Sequence, residues 1–190
     1  MFSAYLKLGI DHILDPNGYD HILFVTVLCA LYSYKEWKKV ILLVTAFTVG
    51  HTATLALSSL DIVAIDPGLV EKLIPITIII TAMSNILIAT RTGISEARPW
   101  VSYLVTVGFG LIHGLGFSNY FKALVNPEES IIFPLFSFNC GVEAGQVVVV
   151  LGVMALSWLV TGVAGLHRKW WTIPISGAGM VVAIYLLAGR

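Results

Sequence analysis

Four histidines and two carboxylates carry the chemistry this chain could perform. Asp20 and His21 stand at the head of one apolar run, His51 and His113 lie inside two others, and Glu143 lies inside a fourth. His12 comes just before the first run. An ionisable side chain placed in hydrocarbon costs about 3 kcal/mol on insertion scales, so each of these positions is a functional hypothesis by default. Asn139, Glu143 and Gln146 follow an i, i+4, i+7 stripe, and Thr48, His51 and Thr52 share a helical face in the same way. Imidazoles and carboxylates with no thiolate beside them suit a borderline divalent metal, Ni²⁺ or Zn²⁺. Such an ion would neutralise Asp20 and Glu143 and occupy the histidine lone pairs, offsetting their burial. His12, Asp20, His21, His51, His113 and Glu143 are therefore the candidate ligands, with Asn139, Gln146, Thr48 and Thr52 orienting them from behind. A polar packing network between helices and a proton relay would use the same residues, and both stay open.

The elements that must position these groups are membrane helices. Of 190 residues, 57% are hydrophobic and 12% charged, with a formal net charge of zero. A soluble domain carries about 25% charged residues, so this chain uses lipid as its solvent. The zero balance also argues against nucleic acid as a partner, because phosphate binding needs a gathered basic excess. Continuous apolar runs predict helices, not alternating barrel strands. The expectation is an all-α, polytopic bundle in a single transmembrane domain over residues 1–190. Six spans are expected at about 18–34, 38–60, 69–90, 99–120, 134–165 and 170–188, after a short amphipathic interfacial helix at about 2–14. The fifth run exceeds a bilayer's need, which predicts tilt, extension beyond the bilayer, or a kink near Gly141 or Gly145. Cys29 and Cys140 read as small buried hydrophobes, and the start of the chain lacks the features of a signal peptide.

The expected loops after spans one, three and five hold Lys35, Lys38, Lys39, Arg91, Arg98, Arg168 and Lys169, seven cations against four (Lys7, Lys72, Lys122, Arg190) on the other side. That excess puts both termini outside the cytoplasm of a bacterial-type inner membrane. Along the helices, His51 lies about 20 Å up its span, His113 about 21 Å up, and Glu143 about 14 Å down from the outer end. Several helices thus bring ionisable groups to similar heights in the outer part of the bilayer. The glycines around His113 would let a neighbouring helix approach closely. Ser84 and Asn85 are polar but read first as interhelical glue, the five tryptophans as interfacial anchors, His167 as a loop residue, and Glu128 and Glu129 beside Pro127 as a hydrated outer loop.

Three functions fit these residues. A carrier or channel for a divalent cation would capture the ion at Asp20 and His21 and replace its waters at His51, His113 and Glu143. An intramembrane zinc hydrolase would use the same cluster with Glu143 or Asp20 as general base. The thinning of polar residues toward the inner side, beyond Ser84 and Asn85, favours that alternative. A purely structural or partner-binding membrane protein is the third.

The segments Gly9-Ile10-Asp11-His12-Ile13, Gly18-Tyr19-Asp20-His21-Ile22-Leu23-Phe24, Phe47-Thr48-Val49-Gly50-His51-Thr52-Ala53-Thr54-Leu55, Phe109-Gly110-Leu111-Ile112-His113-Gly114-Leu115-Gly116-Phe117 and Phe138-Asn139-Cys140-Gly141-Val142-Glu143-Ala144-Gly145-Gln146 together resemble the HupE/UreJ family of hydrogenase and urease accessory membrane proteins. The resemblance implies a nickel permease that serves metalloenzyme maturation partners, with a His-x5-Asp-His element at the first span. Here seven residues, Ile13 to Tyr19, separate His12 from Asp20, two more than in that element.

Overall fold

The computed structural model describes residues 1–91, 99–125 and 130–190. Arg98, Pro127, Glu128 and Glu129 lie outside the described residues. Among those described there is no strand, and seven α-helices follow one another: α1 (Phe2–Leu14), α2 (Asp20–Ala30), α3 (Trp37–Ser59), α4 (Pro67–Thr90), α5 (Pro99–Leu124), α6 (Ile132–Ser157) and α7 (Lys169–Ala188). A 3-10 turn, Tyr34–Glu36, precedes α3, and a π-helical turn, Trp158–Val163, extends α6. Five segments are long and apolar enough to cross a membrane: Tyr34–Ser59, Pro67–Thr90, Trp100–Leu124, Ile132–Val163 and Lys169–Ala188. This is a multi-pass membrane protein.

Local chemistry sets several boundaries. Asp66 caps α4 by accepting the Leu69 N–H at 2.9 Å, with Pro67 at the first turn. Ser33 and Glu36 form a capping box ahead of α3. Gly165, at φ +67°, ends the π turn in the left-handed conformation that glycine adopts without strain. No break falls at Gly141 or Gly145, because α6 continues through both; these glycines face α1.

The first crossing differs from the single helix expected at 18–34. The helix there, α2, has 11 residues, about 16 Å of rise, which is too short to span. Nor does α1 lie flat at an interface. It runs parallel to α6, with Phe2 beside Phe133, Gly9 against Phe138 and Val142, and Ile13 against Gly145. A methyl group at Gly9 or Gly141 would overlap backbone atoms of the other helix, so the two backbones touch as only small residues allow. Beyond the break at residues 15–19, α2 continues along α6 and shares a core with Val150, Val153 and Met154. It runs antiparallel to α7: Arg190 reaches Asp20 at its start, and Thr172 bonds the Ala30 carbonyl at its end. Two short helices in series therefore make the first traverse, about 36 Å of helix in total, broken in its middle. A broken span is stable only where its freed backbone is enclosed by protein or lines a polar cavity.

One end of the bundle holds the starts of α1, α4 and α6. The other holds Lys35, Lys38, Lys39, Arg91, Arg168 and Lys169, together with the exposed Trp37, Trp100, Trp158 and Trp170. These four tryptophans are exposed at or near helix ends, whereas Trp171 is buried in the core. Asn85 acts as glue: its amide donates to the Val27 carbonyl at 2.7 Å and to Ser176 at 3.2 Å, tying α4 to α2 and α7. Asn85→Ala is expected to cost about 1–3 kcal/mol, read as a lower midpoint in thermal denaturation of the detergent-solubilised protein. An unchanged midpoint would remove this role.

Candidate metal centre

The break in the first traverse is where the histidines meet. His12 ends α1, His21 begins α2, and His51 comes from the middle of α3. One potential ligand atom from each lies within 4.8 Å of the others. The ring centroids of His12 and His21 are 4.5 Å apart, and those of His12–His51 and His21–His51 are 5.9 and 6.0 Å. His51 and His113 are fully buried and His21 is 5% exposed. The Nε2 atoms of His12 and His21 and both ring nitrogens of His51 are buried without a hydrogen-bond partner. Buried polar atoms are nearly always paired, and each unpaired one costs about 1–3 kcal/mol. Nitrogen lone pairs converging on one point are what a borderline divalent cation binds.

His113 stands at the edge of this group. Its ring is 5.2 Å from that of His21, and its Nε2 lies 3.1 Å from the Thr77 hydroxyl, while its Nδ1 has no partner. Close helix contact puts His113 there: a Cβ on Gly110 or Gly114 would collide with the α3 backbone at Phe47 or His51. Aromatic rings wall the cluster. Phe117 lies 4.0 Å from His12, Phe138 stacks on His51 at 6.3 Å, and Phe47 lies 5.0 Å from His113.

The Asp20 carboxylate bonds the His21 backbone N–H at 3.2 Å, lies 3.4 Å from its Nδ1 and pairs with Arg190 at 2.9 Å. It therefore fixes the ring of His21 and leaves Nε2 facing the cluster. Arg190 also donates to the Glu71 carbonyl at 2.8 Å. Beside His12 an open cleft of about 720 Å³ is lined by Asp11, Asp15, Pro16, Phe117 and Tyr120.

Glu143, like Asp20 and His113, falls outside the His12–His21–His51 group. Its two oxygens accept from Thr45 at 2.5 Å and Thr48 at 2.6 Å, and the Thr48 hydroxyl is 2.9 Å from Gln146 Oε1. Thr52 bonds the Thr48 carbonyl at 2.7 Å. Thr48 and Gln146 thus belong to the carboxylate's surroundings, Thr52 bonds its own helix, and none of the three is hydrogen-bonded to an imidazole. Asn139 lies within side-chain hydrogen-bonding reach of His51, although the contact is not closed by strict geometry, and its amide donates to the Leu135 carbonyl at 2.8 Å. Thr45, Thr77 and Arg190 are partners that the sequence reading did not include. Thr45 could have been found, because it extends the Thr48–Thr52 stripe by one turn; Arg190 and Thr77 carry no comparable sign.

His12, Asp20 and His21 stand around the break in the first traverse and face a histidine from α3. A family model described as HupE / UreJ protein matches residues 1–189. The chain belongs to the HupE/UreJ family. The match covers both halves of the broken traverse and all five long helices, so the HupE/UreJ assignment concerns the whole chain, and with it comes a link to metal handling. No curated protein and no solved structure matches the chain.

Proposed function

We propose that this HupE/UreJ protein carries a divalent transition-metal cation, nickel first among them, across the membrane through an imidazole site formed by His12, His21 and His51. One observation carries the reading: buried, unpartnered ring nitrogens of these three side chains converge at a helix break. Two further features support movement of the ion through the site. The open cleft at Asp11, Asp15 and His12 gives the cluster an approach beside the break. In the opposite direction, Thr77, Thr81 and Ser84 follow one face of α4 from His113 to a cleft of about 220 Å³ among α2, α4 and α5. Release requires these hydroxyls to take over the ion's ligation from the imidazoles. Asp20 supplies compensating negative charge, and His113 takes the ion as it leaves.

The gathering of lysines, arginines and tryptophans at the other end supports a cytoplasmic position for that end, with both termini on the extracytoplasmic side of an inner membrane. The metal would then be delivered to metalloenzyme maturation partners in the cytoplasm. The zinc-hydrolase alternative needs a carboxylate free to activate metal-bound water. Glu143 lies apart from the imidazoles and Asp20 is held by Arg190, so this alternative lacks its base.

The test is uptake of radiolabelled nickel by proteoliposomes: uptake above empty vesicles, abolished in His51→Gln, is expected. Folded protein that takes up no Ni²⁺, Co²⁺ or Zn²⁺ would overturn the proposal.

A further inference from the structure

Glu143 leaves an electrostatic question that the imidazole site does not answer. A carboxylate in a membrane-spanning helix needs a compensating charge, or its burial is costly. No lysine, arginine or histidine is paired with it among the described residues. On α3 the nearest titratable side chain is His51, three residues and about 4.5 Å of rise beyond Thr48. On α1, which covers another face of α6, Lys7 and Asp11 pair with each other, and on α2 Asp20 is taken by His21 and Arg190.

What surrounds Glu143 is oxygen. Its own two oxygens, the hydroxyls of Thr45 and Thr48, and Oε1 of Gln146 are linked by contacts of 2.5, 2.6 and 2.9 Å. Gln146 is fully buried, and its Nε2 finds no partner, so its amide is held in place toward this group without being satisfied by it. A cleft of about 310 Å³ lined by Thr45, Thr48, Val49 and Thr52 lies alongside. Oxygen donors with one negative charge and no nitrogen suit a hard cation of low charge.

We propose that Glu143, Thr45, Thr48 and Gln146 form a second cation site, distinct from the imidazole cluster, that takes a hard monovalent metal cation, Na⁺. It rests on the transport reading only for its purpose. A monovalent cation here and a divalent one at the histidines repel each other, so occupancy of either site weakens the other reciprocally, and the exchange of one for the other drives release.

The site is tested on purified, metal-free protein, without transport. Sodium titration by calorimetry, and infrared difference spectra of the carboxylic C=O stretch, are measured on wild type and Glu143→Gln. Stoichiometric Na⁺ binding that disappears in the variant supports the proposal. No Na⁺ binding by wild type, whichever form of the carboxyl group the spectra show, overturns it. So does a loss of nickel affinity greater than tenfold in Glu143→Gln, which would make Glu143 a ligand of the divalent ion. Thr45→Val with Thr48→Val keeps the carboxylate and provides a second check: it is expected to weaken monovalent binding at least tenfold and leave nickel stoichiometry unchanged. Failure of nickel uptake in vesicles bears on the transport reading and leaves these results standing.

Discussion

Substituting His51 by glutamine is expected to lower the affinity for nickel or zinc by more than about 100-fold, beyond the 10–100-fold typical of losing a group that merely supports a ligand. His51 is fully buried with both ring nitrogens unpartnered, and it is the one member of the trio contributed by a long, continuous helix. It closes the site against the two ends of the break. In wild type, an ion at 100 times its Kd raises stability by about 2.7 kcal/mol, so nickel should shift the thermal midpoint of wild type and leave His51→Gln unmoved. The comparison separates binding from folding, because the metal-free midpoints of the two proteins report the substitution's own cost. A variant that retains the nickel-induced shift would remove His51 from the site.

The second large effect is expected at Gly110. A side chain there would run into the Phe47 carbonyl and come within 3.0 Å of the His51 backbone nitrogen. Both are helix backbone atoms that cannot step aside, so Gly110→Val must push α3 from α5. Overpacking of this kind costs about 1–3 kcal/mol and often more where backbone is involved, and it moves His51 and His113 relative to the broken traverse. Low recovery of monodisperse protein and loss of metal binding in the recovered fraction are the expected results. Gly108, on the same helix, meets nothing within 4 Å, so Gly108→Val is the matched control and should behave as wild type. Equal behaviour of the two variants would contradict the packing described for α3 and α5.

The sequence reveals the five long helices because their apolar runs are continuous and match the thickness of a bilayer. The first traverse is less readable. Hydropathy over Gly18–Tyr34 is that of one helix, yet α2 stops at Ala30, where its last carbonyls are taken by Thr172 and Arg168 and the Ser33 capping box starts the next element. The direction of α1 depends on tertiary contact between Gly9 and Gly141, which no local pattern announces. For the site, depth along each helix brings His21, His51 and His113 to one level. Depth does not fix the rotation of a helix about its axis, and that rotation turns Glu143 toward Thr45 and Thr48. The longer spacing from His12 to Asp20 is absorbed at the break, where Asp15 accepts the Asn17 N–H at 2.8 Å in a local turn, so His12 still reaches His21.

X-ray absorption spectroscopy of the nickel-loaded protein reads the ligands of the bound ion. One ion per chain is expected, with three imidazole nitrogens in its nearest shell, from His12, His21 and His51, the remaining positions filled by light oxygen or nitrogen atoms, and no sulfur. A spectrum with a sulfur neighbour, or with no imidazole scattering, would contradict this expectation.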